Sequence, residues 1–276
     1  MESVDGPTVD WDGHIVLMHD NEEQRRAGVA AWARRGLDAG AKVLYIESPD
    51  ESADRRFLGV LAENDIEVEP LVGRGQLEVI PVQGETYSSG WQAALVDEAL
   101  GAGYPTVRWS GEAETAWTMM SPLVHADLEW TTDELCRRRP VSILCQYSSS
   151  LPQATLESVC AMHANGVRQP ALQTTPLPGG IALAGEVDLS NERILRLALT
   201  AAAATRATNG TPLRVDLSRV GFLDAAGARA LLTGTTAHRL RGGSVQLCAA
   251  QRPVARLLRL LHVDRTAGFQ LDVVGP

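Results

Sequence analysis

The chain has a single lysine, Lys42, against 24 arginines, and no tryptophan after Trp130. The arginine bias speaks to a GC-rich genome rather than to a function. Its four cysteines, Cys136, Cys145, Cys160 and Cys248, form no C-x-x-C pair and no zinc-finger spacing. Reduced thiols are therefore expected, not a disulfide framework. No run of about 18 uninterrupted apolar residues is present, and the acidic start MESVDGPTVD is unlike a signal peptide. The expectation is a cytosolic chain with no membrane segment. The basic last third holds only two aromatics, Phe222 and Phe269, so nucleic acid is not expected as a partner.

With 276 residues, of which 45% are apolar, the chain is long enough for one or two domains with sizeable cores. Charge and tryptophan usage both divide it. Residues 1–170 carry 27 acidic and 13 basic side chains, a net charge of −14. Residues 171–276 carry 7 acidic and 12 basic, a net charge of +5. All six tryptophans fall between Trp11 and Trp130. The stretch Arg168–Gly180, RQPALQTTPLPGG, holds three prolines and a glycine pair and reads as a linker. Domains of residues 1–170 and 171–276 are expected, with either an acidic protein partner or the acidic first domain facing the basic second one.

In the first domain, short apolar runs suited to buried strands alternate with helical patterns. The strand runs are HIVLMH (14–19), KVLYIE (42–47), LEVIP (77–81), TVRWS (106–110) and VSILCQY (141–147). Helices are expected near residues 22–37, 52–64, 91–100, 123–138 and 151–163, with Asp20 capping the first. This alternation predicts an α/β fold, a parallel sheet covered on both faces as an open three-layer sandwich. The pattern resembles nucleoside triphosphatases of the RecA type. Those enzymes place a glycine-rich loop with a lysine after the first strand to hold phosphates. Here that turn reads His19-Asp20-Asn21-Glu22-Glu23-Gln24, with no glycine, no lysine and three carboxylates. ATP hydrolysis at this turn is not expected. No Ser-His-Asp or paired-carboxylate arrangement offers a catalytic residue.

A second resemblance covers residues 10–168. Gly13-His14, His19-Asp20, Ala39-Gly40, Gly111-Glu112 with Trp117, Cys145-Gln146-Tyr147, and His163 are similar to the MEDS sensory domain of methanogen and methylotroph regulators. The resemblance implies a sensor of small hydrocarbon derivatives. Parallel sheets place ligands at their carboxyl edge, where His19, Ser110–Glu112 and Tyr147 are expected. Glu112 can accept a hydrogen bond there, Tyr147 can donate one, and Trp117 can supply an apolar wall. The candidate ligand-binding set is His14, His19, Glu112, Trp117, Tyr147 and His163. Trp117 reads more readily as a core residue, Cys145 as a small buried hydrophobe and His14 as a structural histidine. His19, Cys145 and His163 offer a His/Cys/His metal set, but no residue is assigned to a metal and no cofactor is expected.

The last third contains the chain's most specific signature, LRVDLSRVGFLDAAGARALL (213–232). Leu213, Val215 and Leu217 alternate with polar residues, as in a half-buried strand, until Gly221 breaks the pattern. Leu223, Ala226, Ala230 and Leu231 then recur at helical spacing, with Asp224 placed to cap the helix. Asp216-Leu217-Ser218 followed by Phe222-Leu223 and Asp224-Ala225-Ala226-Gly227 resembles the STAS family of anti-anti-sigma factors, over about residues 174–274. That resemblance implies a STAS-like α/β domain whose partner surface includes Ser218, Asp224, Ala225, Ala226 and Gly227. In most members a serine or threonine follows the Asp and is phosphorylated to release the partner. Here Ala225 has no oxygen to phosphorylate. The two alanines read equally as small residues at a helix start.

Taken together, the sequence predicts a bacterial signalling protein, not an enzyme. A sensor of a small apolar ligand would be joined to a STAS domain that binds an anti-sigma factor or kinase-like switch protein. The alternatives are a nucleotide-binding or enzymatic first domain, and a STAS-based scaffold that assembles with its own copies.

Overall fold

The structure is a computed structural model that describes residues 12–273 apart from 49–51, 53–54, 84–85, 87, 113–119, 164 and 205–210. The described chain divides into two compact units. One comprises residues 12–151 and 162–165, the other residues 152–161 and 166–273.

The first unit runs β1 (His14–His19), α1 (Glu22–Asp38), β2 (Lys42–Glu47), α2 (Phe57–Glu63), α3 (Val68–Gly73), β3 (Leu77–Pro81), α4 (Ser89–Gly101), β4 (Val107–Glu112), α5 (Pro122–Arg138) and β5 (Val141–Ser148). Its strands lie in the order β1-β5-β4-β2-β3, and every pairing is parallel. Alternation along each strand sends side chains to opposite faces. Ile15, Leu17, Val43 and Tyr45 face a core closed by α1 and α2, with Trp32, Phe57 and Leu61 at its centre. Leu44, Ile46, Val107, Trp109 and Ile143 face a second core, closed by Val96 and Ala99 of α4 and by Leu135 and Cys136 of α5. These are the three layers expected from strands that are apolar on both sides.

Two local expectations are corrected. Asn21, not Asp20, caps α1: its side chain accepts the Gln24 N–H at 2.9 Å, while the Gln24 side chain accepts the Asp20 N–H at 2.9 Å. The helix starts at Glu22, so the side chain one residue before it is the one that reaches the free N–H groups. The helix expected over residues 52–64 is confined to Phe57–Glu63, and α3 follows where no helix was expected.

The second unit contains most of α6 (Gln153–Met162), then β6 (Val167–Arg168), β7 (Leu172–Leu177), β8 (Gly180–Val187), α7 (Glu192–Ala204), β9 (Leu213–Leu223), α8 (Ala225–Gly234), α9 (Thr236–Leu240), β10 (Val245–Ala250), α10 (Arg252–Leu260) and β11 (Phe269–Val273). Strands β6, β7 and β8 pair antiparallel, and β8, β9, β10 and β11 pair parallel. The stretch read as a linker is therefore mostly strand. Leu172 and Thr174 are buried and alternate with partly exposed Gln173 and Thr175, and β7 runs back along β8 in register from Leu172↔Gly185 to Leu177↔Gly180. The prolines and glycines shape its ends and its tight turn rather than a tether.

Strand β9 also continues past Gly221, because its register against β8 shifts between Gly185 and Glu186 and absorbs the break in alternation. Gly185 sits at φ +97°, and a Cβ there would lie 2.1 Å from the Ala171 carbonyl oxygen. Only glycine tolerates both conditions at this bulge.

Candidate functional site

In the first unit the chemistry gathers under α5. Ser121 caps this helix through the Val124 N–H, with Pro122 in the first turn. His125, Glu129 and Asp133 follow at four-residue intervals, which places them on one stripe of the helix. That stripe is buried: the three residues are 4%, 4% and 6% exposed. It packs over His14 of β1 and over Cys145 and Tyr147 of β5. In the parallel register Val16 pairs with Cys145 and Met18 with Tyr147, so these side chains share a face.

Glu129 is the centre of the group. Its Oε1 accepts the Tyr147 hydroxyl at 2.8 Å and lies 3.3 Å from His125 Nε2. Its Oε2 lies 3.1 Å from His14 Nε2 and 3.6 Å from His163 Nε2. Cys145 Sγ is 3.6 Å from His14 Nε2, and His14 Nδ1 is 3.8 Å from Asp133 Oδ1. The His14 and His163 rings stand 4.4 Å apart, and Tyr147 meets His163 edge-on at 5.9 Å. Burial by itself would push the Glu129 carboxyl up. The imidazoles of His163, His14 and His125 outweigh that and hold it at about 2. Burial lowers the His125 imidazole. Burial, with the Glu129 charge adding to it, pushes the Cys145 thiol well above the usual thiol range.

The opposite face of the same strands carries a different network. Arg25 of α1 is 2% exposed. Its Nη1 donates to Gln146 Oε1 at 3.0 Å and to the Tyr45 hydroxyl at 3.2 Å, and Gln146 Nε2 donates to Ser110 Oγ at 2.9 Å. The run Cys145-Gln146-Tyr147 is thus split by strand alternation, its outer members under α5 and its middle member under α1.

Of the expected ligand residues, His19 stands apart from the other histidines and Tyr147. His14, Tyr147 and His163 do meet, but inside the core, and the Tyr147 hydroxyl is bonded to Glu129 instead of facing an open edge. His19 is five residues beyond His14 and on the other face of β1, beside Arg25 and Glu22 of α1. Burial and the Arg25 charge lower its imidazole to about 4. The set His19, Cys145 and His163 is therefore not assembled. Glu112 ends β4 opposite Gln146 in register, and Trp117 lies outside the described residues. A cleft of about 270 Å³ lies elsewhere in the unit, between the end of α1 and α3, lined by residues that include Arg34, Asp38, Glu67 and Arg74. Glu129, His125, Asp133 and Arg25 were not foreseen. A histidine, a glutamate and an aspartate spaced by four on one helix is the signal that could have found the first three.

In the second unit the signature turn has the expected geometry. Asp224 caps α8, accepting the Gly227 N–H at 2.9 Å. Ala225 is exposed, whereas Ala226 and Gly227 are buried. A Cβ at Gly227 would approach Val187 Cγ1 to 2.7 Å, so the glycine lets α8 pack against β8. Ser218 is exposed, its N–H bonded to Asp216 Oδ1 at 2.8 Å and its carbonyl accepting from Gln251 at 2.9 Å. Phe222 at 49% and Leu189 at 70% are exposed at the same end of the sheet as Ala225.

No helix among the described residues is long and apolar enough to cross a membrane. Among solved structures, the flagellar accessory protein FlaH from Methanocaldococcus jannaschii is similar over 60% of this chain and 73% of its own, at 12% identity and a TM-score of 0.39. Among curated proteins nothing matches this chain. Family models match twice. Residues 171–274 match the model described as "Mlab, STAS domain". Residues 13–164, more than half of the chain, match the MEDS model, the methanogen/methylotroph DcmR sensory domain. Both domains are regulatory rather than catalytic. The chain belongs to the MEDS family, carries a STAS domain behind the sensory one, and has a signalling or regulatory role.

Proposed function

We propose that this protein is not an enzyme but a sensor–output chain. Its MEDS domain takes up a small, mostly apolar molecule, and its STAS domain binds an anti-sigma factor or a related kinase-like switch protein without being released by phosphorylation. The observation that carries this reading is Ala225. It is exposed in the first turn of α8, directly after the capping Asp224, and flanked at that end of the sheet by exposed Phe222 and Leu189. An apolar patch beside a helix start suits a protein partner. A methyl group at the acceptor position leaves the partner's kinase activity nothing to modify there, so control passes to another part of the chain.

The test is surface plasmon resonance of the full chain against the switch protein. The wild type should bind in the presence of ATP. Ala225→Asp puts a second carboxylate beside Asp224 at the docking surface and should weaken binding roughly ten- to a hundredfold, about 1–3 kcal/mol. Equal affinities for the two proteins would remove this surface from the account.

A further inference from the structure

The histidines, thiol and carboxylate under α5 form more than a hydrogen-bonded core. We infer that His14, Glu129, Cys145 and His163 form a buried binding site for a borderline-soft divalent metal ion of the zinc kind.

Each residue offers one donor atom, and these four atoms all lie within 4.8 Å of one another. A tetrahedral zinc site has bonds of about 2.0–2.3 Å, which sets donor–donor edges of about 3.3–3.7 Å. Three edges of the group already have nearly that length: His14 Nε2 to Glu129 Oε2 at 3.1 Å, His14 Nε2 to Cys145 Sγ at 3.6 Å, and His163 Nε2 to Glu129 Oε2 at 3.6 Å. Two nitrogens, one sulfur and one carboxylate oxygen form a donor set that suits zinc rather than magnesium or calcium, which prefer all-oxygen shells.

A second observation points the same way. Glu129 Oε2 is buried, and the imidazole nitrogens that face it, His14 Nε2 at 3.1 Å and His163 Nε2 at 3.6 Å, are not aligned to hydrogen-bond it; His14 Nδ1 and Asp133 Oδ1 likewise meet no hydrogen-bond partner among the described residues. An unsatisfied carboxylate oxygen in a core is costly, and a cation would satisfy it. The outer contacts are those that orient metal ligands. Asp133 Oδ1 lies 3.8 Å from the far nitrogen of His14, and Tyr147 and His125 occupy Oε1 of Glu129, leaving Oε2 toward the two imidazoles. Binding would convert the Cys145 thiol to a metal thiolate and release its proton, together with any proton on the ligating imidazole nitrogens, to solvent, with no change of oxidation state. Four protein donors leave no open position, so the ion would be structural, tying β1, β5, α5 and the segment after α6 together, and not a site of hydrolysis.

The experiment uses the full chain, stripped with a chelator and titrated with Zn²⁺ and separately with Co²⁺. One equivalent should bind. The Co²⁺ form should show the intense visible bands of a tetrahedral centre and a thiolate-to-cobalt charge-transfer band. X-ray absorption on the Zn²⁺ form should count one sulfur at about 2.3 Å and three nitrogen or oxygen neighbours at about 2.0–2.1 Å. Cys145→Ser should abolish the charge-transfer band and weaken Zn²⁺ binding at least a hundredfold, whereas Cys136→Ser, at a half-buried thiol outside the group, should leave both unchanged. The wild-type spectra decide the matter even where Cys145→Ser does not fold. No bound equivalent, or a bound ion with no sulfur neighbour, would overturn the site and leave the group as a buried hydrogen-bonded cluster.

Discussion

His19 shows how one side chain links burial to pH. Its imidazole titrates at about 4 in the fold against an ordinary 6.5, because burial and the Arg25 charge both disfavour the cation. As pH falls below 6.5 the unfolded chain takes up this proton and the folded chain does not. The stability that depends on neutral His19 is therefore complete above pH 6.5 and lost between pH 6.5 and 4. A shift of that size is worth about 2–3 kcal/mol, allowing for the side chain's residual contact with water. His125 shifts in the same direction and adds to the loss. All six tryptophans belong to the first 130 residues, so their fluorescence reports this unit's unfolding separately from the rest. Urea midpoints followed in this way should fall between pH 7 and pH 4.5, and less so in His19→Gln. Identical pH profiles for the two proteins would show that His19 does not carry the effect.

At the scale of elements, α5 is the decisive helix. It offers a polar stripe to a buried face, which a helix does only when the face beneath supplies partners. Here these are His14, Tyr147 and His163. Tyr147→Phe removes the donor 2.8 Å from Glu129 Oε1 and should cost about 1–3 kcal/mol, because the carboxylate stays buried with one bond fewer. Tryptophan-monitored unfolding would measure this, and an unchanged midpoint would mean that His125 compensates.

Most strands and helices were legible because their apolar periods are strong: β1, β2 and β3 fall on the residues expected. The stripe of α5 was not, since periodicity marks which face is apolar and is silent about a buried polar one. Strand β7 was hidden by its prolines and glycines, which signal breaks whether they tether two domains or turn a hairpin. Three residues of the candidate ligand-binding set, His14, Tyr147 and His163, do meet. Sequence could not show that they meet beneath a helix, because that depends on the β1–β5 register.

At the scale of the whole molecule, a MEDS domain and a STAS domain on one chain give it a signalling or regulatory role. In the proposed reading, the STAS domain presents the capping Asp224 and the glycine that seats α8, with Ala225 at the position a partner kinase would modify. The most direct measurement is made on a preformed complex of the full chain with the kinase-like switch protein proposed above, to which ATP is added. The account predicts that the wild-type complex persists and takes up no phosphate on α8, whereas the Ala225→Ser complex becomes phosphorylated there and dissociates. Dissociation of the wild-type complex on adding ATP, with phosphate on the chain, would contradict it.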